Sequence, residues 1–97
     1  MRLDLLLVRL RFARSRRVAQ RWIGEAHMRC NGQRVTAANH AVEVGDVLTL
    51  PPLLSSARAV RVIEILALPE RRGPPAEARA CYRDLDASRS IAIAGSP

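Results

Sequence analysis

Leu3, Leu6, Leu7 and Leu10 recur at i, i+3, i+4 and i+7, the spacing that places side chains on one face of an α-helix. Asp4 falls in the first turn, where a negative charge suits the positive end of the helix dipole. Leu5, Val8 and Phe12 make a second apolar stripe, so this helix needs a cover on two sides. That cover is either the rest of the chain or a partner. Ser15, a good N-cap residue, opens a second helix. Ala19, Trp22, Ile23 and Ala26 repeat the helical spacing, which places Trp22 in the core. Gly24 weakens the helix and points to an end near Ala26.

The period then changes. Met28–Cys30 and Gln33–Val35 flank Asn31-Gly32, a strong hairpin signal because both residues tolerate positive φ. Ala37–Ala41 reads as a loop, and Val42 and Val44 alternate. Gly45-Asp46 turns into a strand over Val47–Leu50, which Pro51-Pro52 ends. Ala59–Leu68 is the longest β-branched run. Glu70–Pro75 reads as a linker. Ala78, Cys81, Tyr82 and Leu85 fit one short helix, with Asp84 and Asp86 at its fraying end. Asp86–Pro97, rich in Ser, Ala and Gly, reads as a disordered tail. The order is α-α-β-β-β-β-α. The predicted fold is α+β: two N-terminal helices packed on a small, mostly antiparallel sheet, followed by a short C-terminal helix. The division expected is a domain over residues 1–68 and a linker, helix and tail over 69–97.

Charge narrows the function. The chain has 97 residues, a formal charge of +7, and sixteen basic side chains that are all arginine. Such a surface on a small domain calls for a polyanionic partner. Guanidinium forks match phosphate oxygens and stay charged at any relevant pH. Arg14, Arg17 and Arg21 form a stripe roughly opposite the apolar face of helix two, and Arg29 and Arg34 bracket the hairpin turn. From Phe12 to Gln33 five arginines meet a single acid, Glu25, so one sign of charge is clustered at the cost of self-repulsion. Aromatics are 3% of the chain, too few for a platform that stacks successive bases. The pattern therefore fits phosphates on a folded duplex or junction, recognised by shape. A helix-turn-helix for DNA remains open, although Gln20 alone could read base edges on helix two.

Catalysis is not expected. No lysine offers a Schiff base, and no glycine cluster offers a phosphate loop. His27 and His40 lack partners at metal spacing, and neither makes a triad with Ser15 or Ser55. No cofactor, metal or small-molecule substrate is implied. Cys30 and Cys81 make neither a metal spacing nor a disulfide framework, so a reduced cytoplasmic setting is expected, with Cys30 in the core. No run reaches the ~20 apolar residues of a membrane span. A monomer is expected.

Arg2-Leu3-Asp4, Ser15-Arg16-x-x-Ala19, Ile23, Asn31-Gly32-x-x-Val35 and Val44-Gly45-Asp46 follow one another over Arg2–Leu50. In order and spacing they resemble the S-four type RNA-binding domain, named after small-subunit ribosomal protein four. The resemblance implies an "αL" motif whose basic helix face and hairpin dock on structured RNA. It would put contacts on Arg2, Arg14, Arg16, Arg17, Arg21 and Asn31, with Arg29 and Arg34 nearby. Glu70-Arg71-Arg72-Gly73-Pro74, Ala76-Glu77-Ala78 and Tyr82 are similar to the ribosome-associated heat-shock protein 15 family of bacteria. That similarity implies binding to rRNA of the large ribosomal subunit and rescue of stalled subunits. The competing readings are a protein-interaction adaptor that docks through helix one, and a DNA-binding regulator.

Overall fold

The computed structural model describes residues 1–25, 28–51 and 60–85. Helix α1 spans Leu3–Arg9 and α2 Arg16–Glu25. Strands β1 (Arg29–Cys30), β2 (Gln33–Arg34), β3 (Val47–Leu50) and β4 (Arg61–Ile65) follow, then α3 (Pro75–Arg79) and β5 (Tyr82–Leu85). The five strands form one antiparallel sheet in the order β2-β1-β3-β4-β5.

The predicted leucine face of α1 is the centre of the core: Leu3, Leu6, Leu7 and Leu10 are all buried. They pack with Ala19 and Ile23 of α2 and with Cys30, Leu48, Leu50, Ile63 and Ile65 of the sheet. Two otherwise orphaned amides at the start of α1 are satisfied by the loop before β3: Leu3 N donates to the His40 carbonyl at 2.9 Å and Asp4 N to that of Ala38 at 3.1 Å. The C-terminus of α1 is a Schellman turn. Phe12 N donates to the Leu7 carbonyl (2.9 Å) and Arg11 N to that of Val8 (3.0 Å). Arg11 takes the left-handed position of this turn, with φ 67°, where glycine or asparagine is usual.

Ser15 caps α2 as expected: its Oγ accepts from Val18 N at 3.3 Å and its carbonyl from Ala19 N at 3.0 Å. Trp22, expected in the core, lies half-buried at the rim, because Ala19 and Ile23 take the innermost row. Asn31 and Gly32 both have positive φ (53° and 82°), and Cys30 faces Gln33 across a two-residue turn. This is a type I′ connection.

The segment around Val42 and Val44 contributes a single bridge, Arg2 to Ala41. One expectation changes. The helix read over Ala78–Leu85 ends at Arg79, and Tyr82–Leu85 is instead strand β5, paired with β4 in the register Ile65–Tyr82 and Val62–Leu85. Asp84 is therefore a strand residue at the sheet edge rather than part of a fraying helix end. The predicted tail over 86–97 and the N-terminal end of the Ala59–Leu68 run lie outside the described residues.

β5 also answers how the second stripe of α1 is covered. The Phe12 ring sits 5.3 Å from that of Tyr82, centre to centre. Arg9 donates to the Pro69 carbonyl (3.0 Å) and Arg11 to that of Gly73 (2.9 Å), which ties the segment after β4 along the helix. Arg61 lies over both rings, at 5.3 Å from Phe12 and 5.4 Å from Tyr82, and is held by Asp84. The chain itself covers this end of the stripe.

Candidate nucleic-acid interface

At ~100° per residue, Ala19 and Ile23 mark the buried face of α2. Arg17 and Arg21 lie nearly opposite, and both are exposed. Arg14 is exposed in the turn just before the cap. Among the described residues no carboxylate stands within ion-pair distance of Arg14, Arg17 or Arg34. Arg21 makes one i,i+4 contact with Glu25 at 3.5 Å, in full solvent, where such pairs contribute little. The stripe is thus presented outward on a rigid element.

Arg16 occupies a different row. With Gln20 it turns toward Asp4, the one buried charged residue among those described. Arg2 donates to Asp4 through both Nε and Nη2 at 3.1 Å. Gln20 Nε2 donates at 3.0 Å, Arg16 Nη2 at 3.4 Å and Leu5 N at 2.8 Å. Burial alone would raise the Asp4 pKa, but the bonds from Arg2, Gln20 and Leu5 N outweigh it and hold the carboxyl at about 2. Asp4 therefore joins the N-terminus of α1 to α2. Its hydrogen bonds use only part of each guanidinium, which has five donors, and both arginines stay about half exposed (47% and 50%). Arg2, Arg14, Arg16, Arg17 and Arg21 against Asp4 and Glu25 leave an excess of three positive charges on this face.

The hairpin adds two more. Arg29 and Arg34 are directly opposed in the β1–β2 ladder. Like charges facing across strands are destabilising, and a bound anion relieves the repulsion. Arg29 Nη1 donates to the Gly32 carbonyl at 3.1 Å, which turns it toward the tip. Asn31 is exposed, yet both polar atoms of its amide are engaged. Nδ2 donates to Asp46 at 3.1 Å, and Oδ1 accepts from Val47 N at 2.9 Å. The side chain named from the sequence as a contact thus braces the turn against β3. Asp46 is held below its usual pKa, chiefly by the Glu43 amide (2.9 Å) and by Asn31, against the opposing effect of burial.

The sequence reading thus found the outward arginines and the hairpin, and missed Asp4 as the anchor of Arg2 and Arg16. An acid in the first turn of α1 was visible; that helix packing brings residues 12 and 16 positions away onto it was not. No group of His, Cys, Asp and Glu suited to a metal occurs among the described residues, and no described helix is long and apolar enough to cross a membrane.

Comparison with known proteins fits this geometry. Residues 1–48 match the family model for the S4 domain. The chain carries an S4 domain. It is 38% identical over 69 residues, 71% of its length, to the small ribosomal subunit protein uS4 of Gloeobacter violaceus. It is 34% identical over 86 residues, 89% of its length, to uS4 of Anaeromyxobacter sp.. The chain spans only 33% and 38% of those relatives. Beyond the S4 domain, the fold matches the trimeric structure of Vibrio cholerae heat shock protein 15 with a TM-score of 0.79 and 26% identity, covering 99% of this chain and 92% of that one. The S4 domain is an RNA-binding domain, which agrees with an exposed arginine face.

Proposed function

We propose that this protein binds structured RNA without catalysis, that its target is rRNA of the large ribosomal subunit, and that it acts on stalled subunits. The observation that carries the reading is the row formed by Arg14, Arg17 and Arg21, presented opposite the buried face of α2, together with the opposed pair Arg29 and Arg34 on the hairpin. Phosphate contacts from the row supply most of the affinity, and the braced hairpin sets orientation. Arg2 and Arg16, held by Asp4, add half-exposed guanidiniums from a separate row on the side of α1. The likeness to heat shock protein 15 over nearly the whole chain supports the ribosomal target. The adaptor reading loses part of its motive, because Phe12 is covered by Tyr82 and Arg61.

Neutralising four to six phosphates makes log K fall with log salt at a slope of about −3 to −5. The test is charge reversal, Arg17→Glu with Arg21→Glu, in filter binding to rRNA at fixed salt. Affinity is expected to fall by about 100-fold with an unchanged circular dichroism spectrum. Unchanged affinity in a folded double variant would refute the assignment. Cosedimentation with separated ribosomal subunits tests the finer claim, with the large subunit expected to carry the protein. Competition by duplex DNA at equal strength would favour the DNA reading instead.

A further inference from the structure

A cleft of about 300 Å³ opens between the C-terminal turn of α1, β4, α3 and β5. Arg11, Phe12, Arg61, Pro75, Arg79 and Tyr82 line it. We propose that this cleft takes one unpaired nucleotide of the bound RNA, an inference that rests on the RNA-binding function above.

The chemistry is that of a ring and a phosphate. Arg61 lies over the half-buried Phe12 and the buried Tyr82, and its guanidinium plane with the uncovered part of Phe12 makes a wall of the kind on which unstacked bases lie. Asp84 neutralises Arg61, so Arg61 serves the wall rather than the phosphate. Arg11 and Arg79 make no ion pair among the described residues. Arg11 commits a single donor to the Gly73 carbonyl, and Arg79 makes only a long 3.4 Å contact to that of Pro75. Two guanidiniums with donors to spare at the cleft are a phosphate clamp.

The left-handed backbone of Arg11 is a second mark. A side chain in that conformation carries strain that glycine would avoid, and what stands there is an arginine on the cleft. Size and position define the occupant. The volume lies at the low end of small-molecule sites, which start at ~300 Å³, so it suits one nucleotide and not a run of single strand. Arg11 is three residues from Arg14, no more than ~11 Å between Cα atoms, so the cleft adjoins the basic row. A strand held by the row can swing one base into it. With only two aromatics the cleft reads a single base, consistent with shape recognition elsewhere.

The test compares two RNA duplexes of one sequence by fluorescence anisotropy, one carrying a single bulged 2-aminopurine nucleotide. Wild-type protein is expected to bind the bulged duplex about tenfold more tightly and to change the 2-aminopurine emission. Arg79→Gln, at an exposed position, and Arg11→Asn, which tolerates the left-handed backbone, each reduce the preference to about twofold and leave the paired duplex bound within about threefold. Equal binding of the two duplexes by wild type, or equal weakening of both by the variants, overturns the cleft alone. Binding of free adenosine monophosphate with no preference for the bulge makes it a free-nucleotide site and also overturns the proposal. Failure of wild type to bind either duplex overturns the RNA function itself, and the cleft proposal with it.

Discussion

Two groups of arginines divide this molecule. On the outer row of α2 and on the hairpin, Arg14, Arg17, Arg29 and Arg34 are exposed, and no described carboxylate pairs with them. Along the seam between α1 and the C-terminal strand, Arg9 and Arg11 hold backbone carbonyls, Arg61 holds Asp84, and Arg83 holds Glu64. The side chain is the same in both places. In the seam it is a bracket for a small core, with at least one donor of each fork bonded within the chain. On α2 it is left for an anion from outside. Net charge alone conceals this division, and the carboxylate positions reveal it.

Asp4 ties together α1 and α2, the helices on which the two regions are built, and removing it should disturb the division most. Asp4→Ala is expected to lower stability by about 2–3 kcal/mol, measured by urea unfolding, because it strips partners from Arg2, Arg16, Gln20 and Leu5 N at once. Acid gives the same information in the unchanged protein. The folded pKa is depressed from 3.8 to about 2, so the stabilisation is complete above the unfolded value and is lost as pH falls from about 4 through 2. A loss of about 2 kcal/mol over that window is expected for wild type, and D4A should lack that component. Arg61→Ala should then separate the regions cleanly. It removes the pairing with Asp84 and the contact over two rings, so about 1–2 kcal/mol of stability is lost, while affinity for a fully paired RNA stays within about threefold. A large drop in duplex affinity would show that the seam is part of the main contact surface. Arg11→Gly should have the smallest effect. Relief of the left-handed strain is offset by glycine's entropy and by loss of the bond to the Gly73 carbonyl, so stability in thermal unfolding changes by less than about 0.5 kcal/mol.

Much of this architecture is legible in the chain because the strongest signals are local. The leucine spacing of α1, the Ser15 cap and the Asn31-Gly32 turn each specify their own geometry, and each is present as read. Tyr82–Leu85 is different. Ala78, Cys81, Tyr82 and Leu85 fit a helical period over only eight residues, and a strand there becomes favourable only when β4 offers an edge to pair with. The candidate site divides in the same way. Exposed arginines opposite an apolar face can be read from periodicity. The commitment of Arg2 and Arg16 to Asp4, and of the Asn31 amide to Asp46 and Val47, depends on which elements pack together. Trp22 shows the limit of periodicity within one helix, since sharing a face with Ile23 does not give it the innermost row.

The two-residue connection between β1 and β2 makes the hairpin intolerant of changes in length by one. Side chains alternate along a strand, so a single inserted residue that shifted β1 would send Cys30 to solvent and aim Arg29 at the leucines of α1. Relatives with loops of altered parity there would need a compensating bulge to keep both arginines outside. Substitutions along the outer row of α2 face no such rule, so the helix can drift gradually while the hairpin can change only in whole steps.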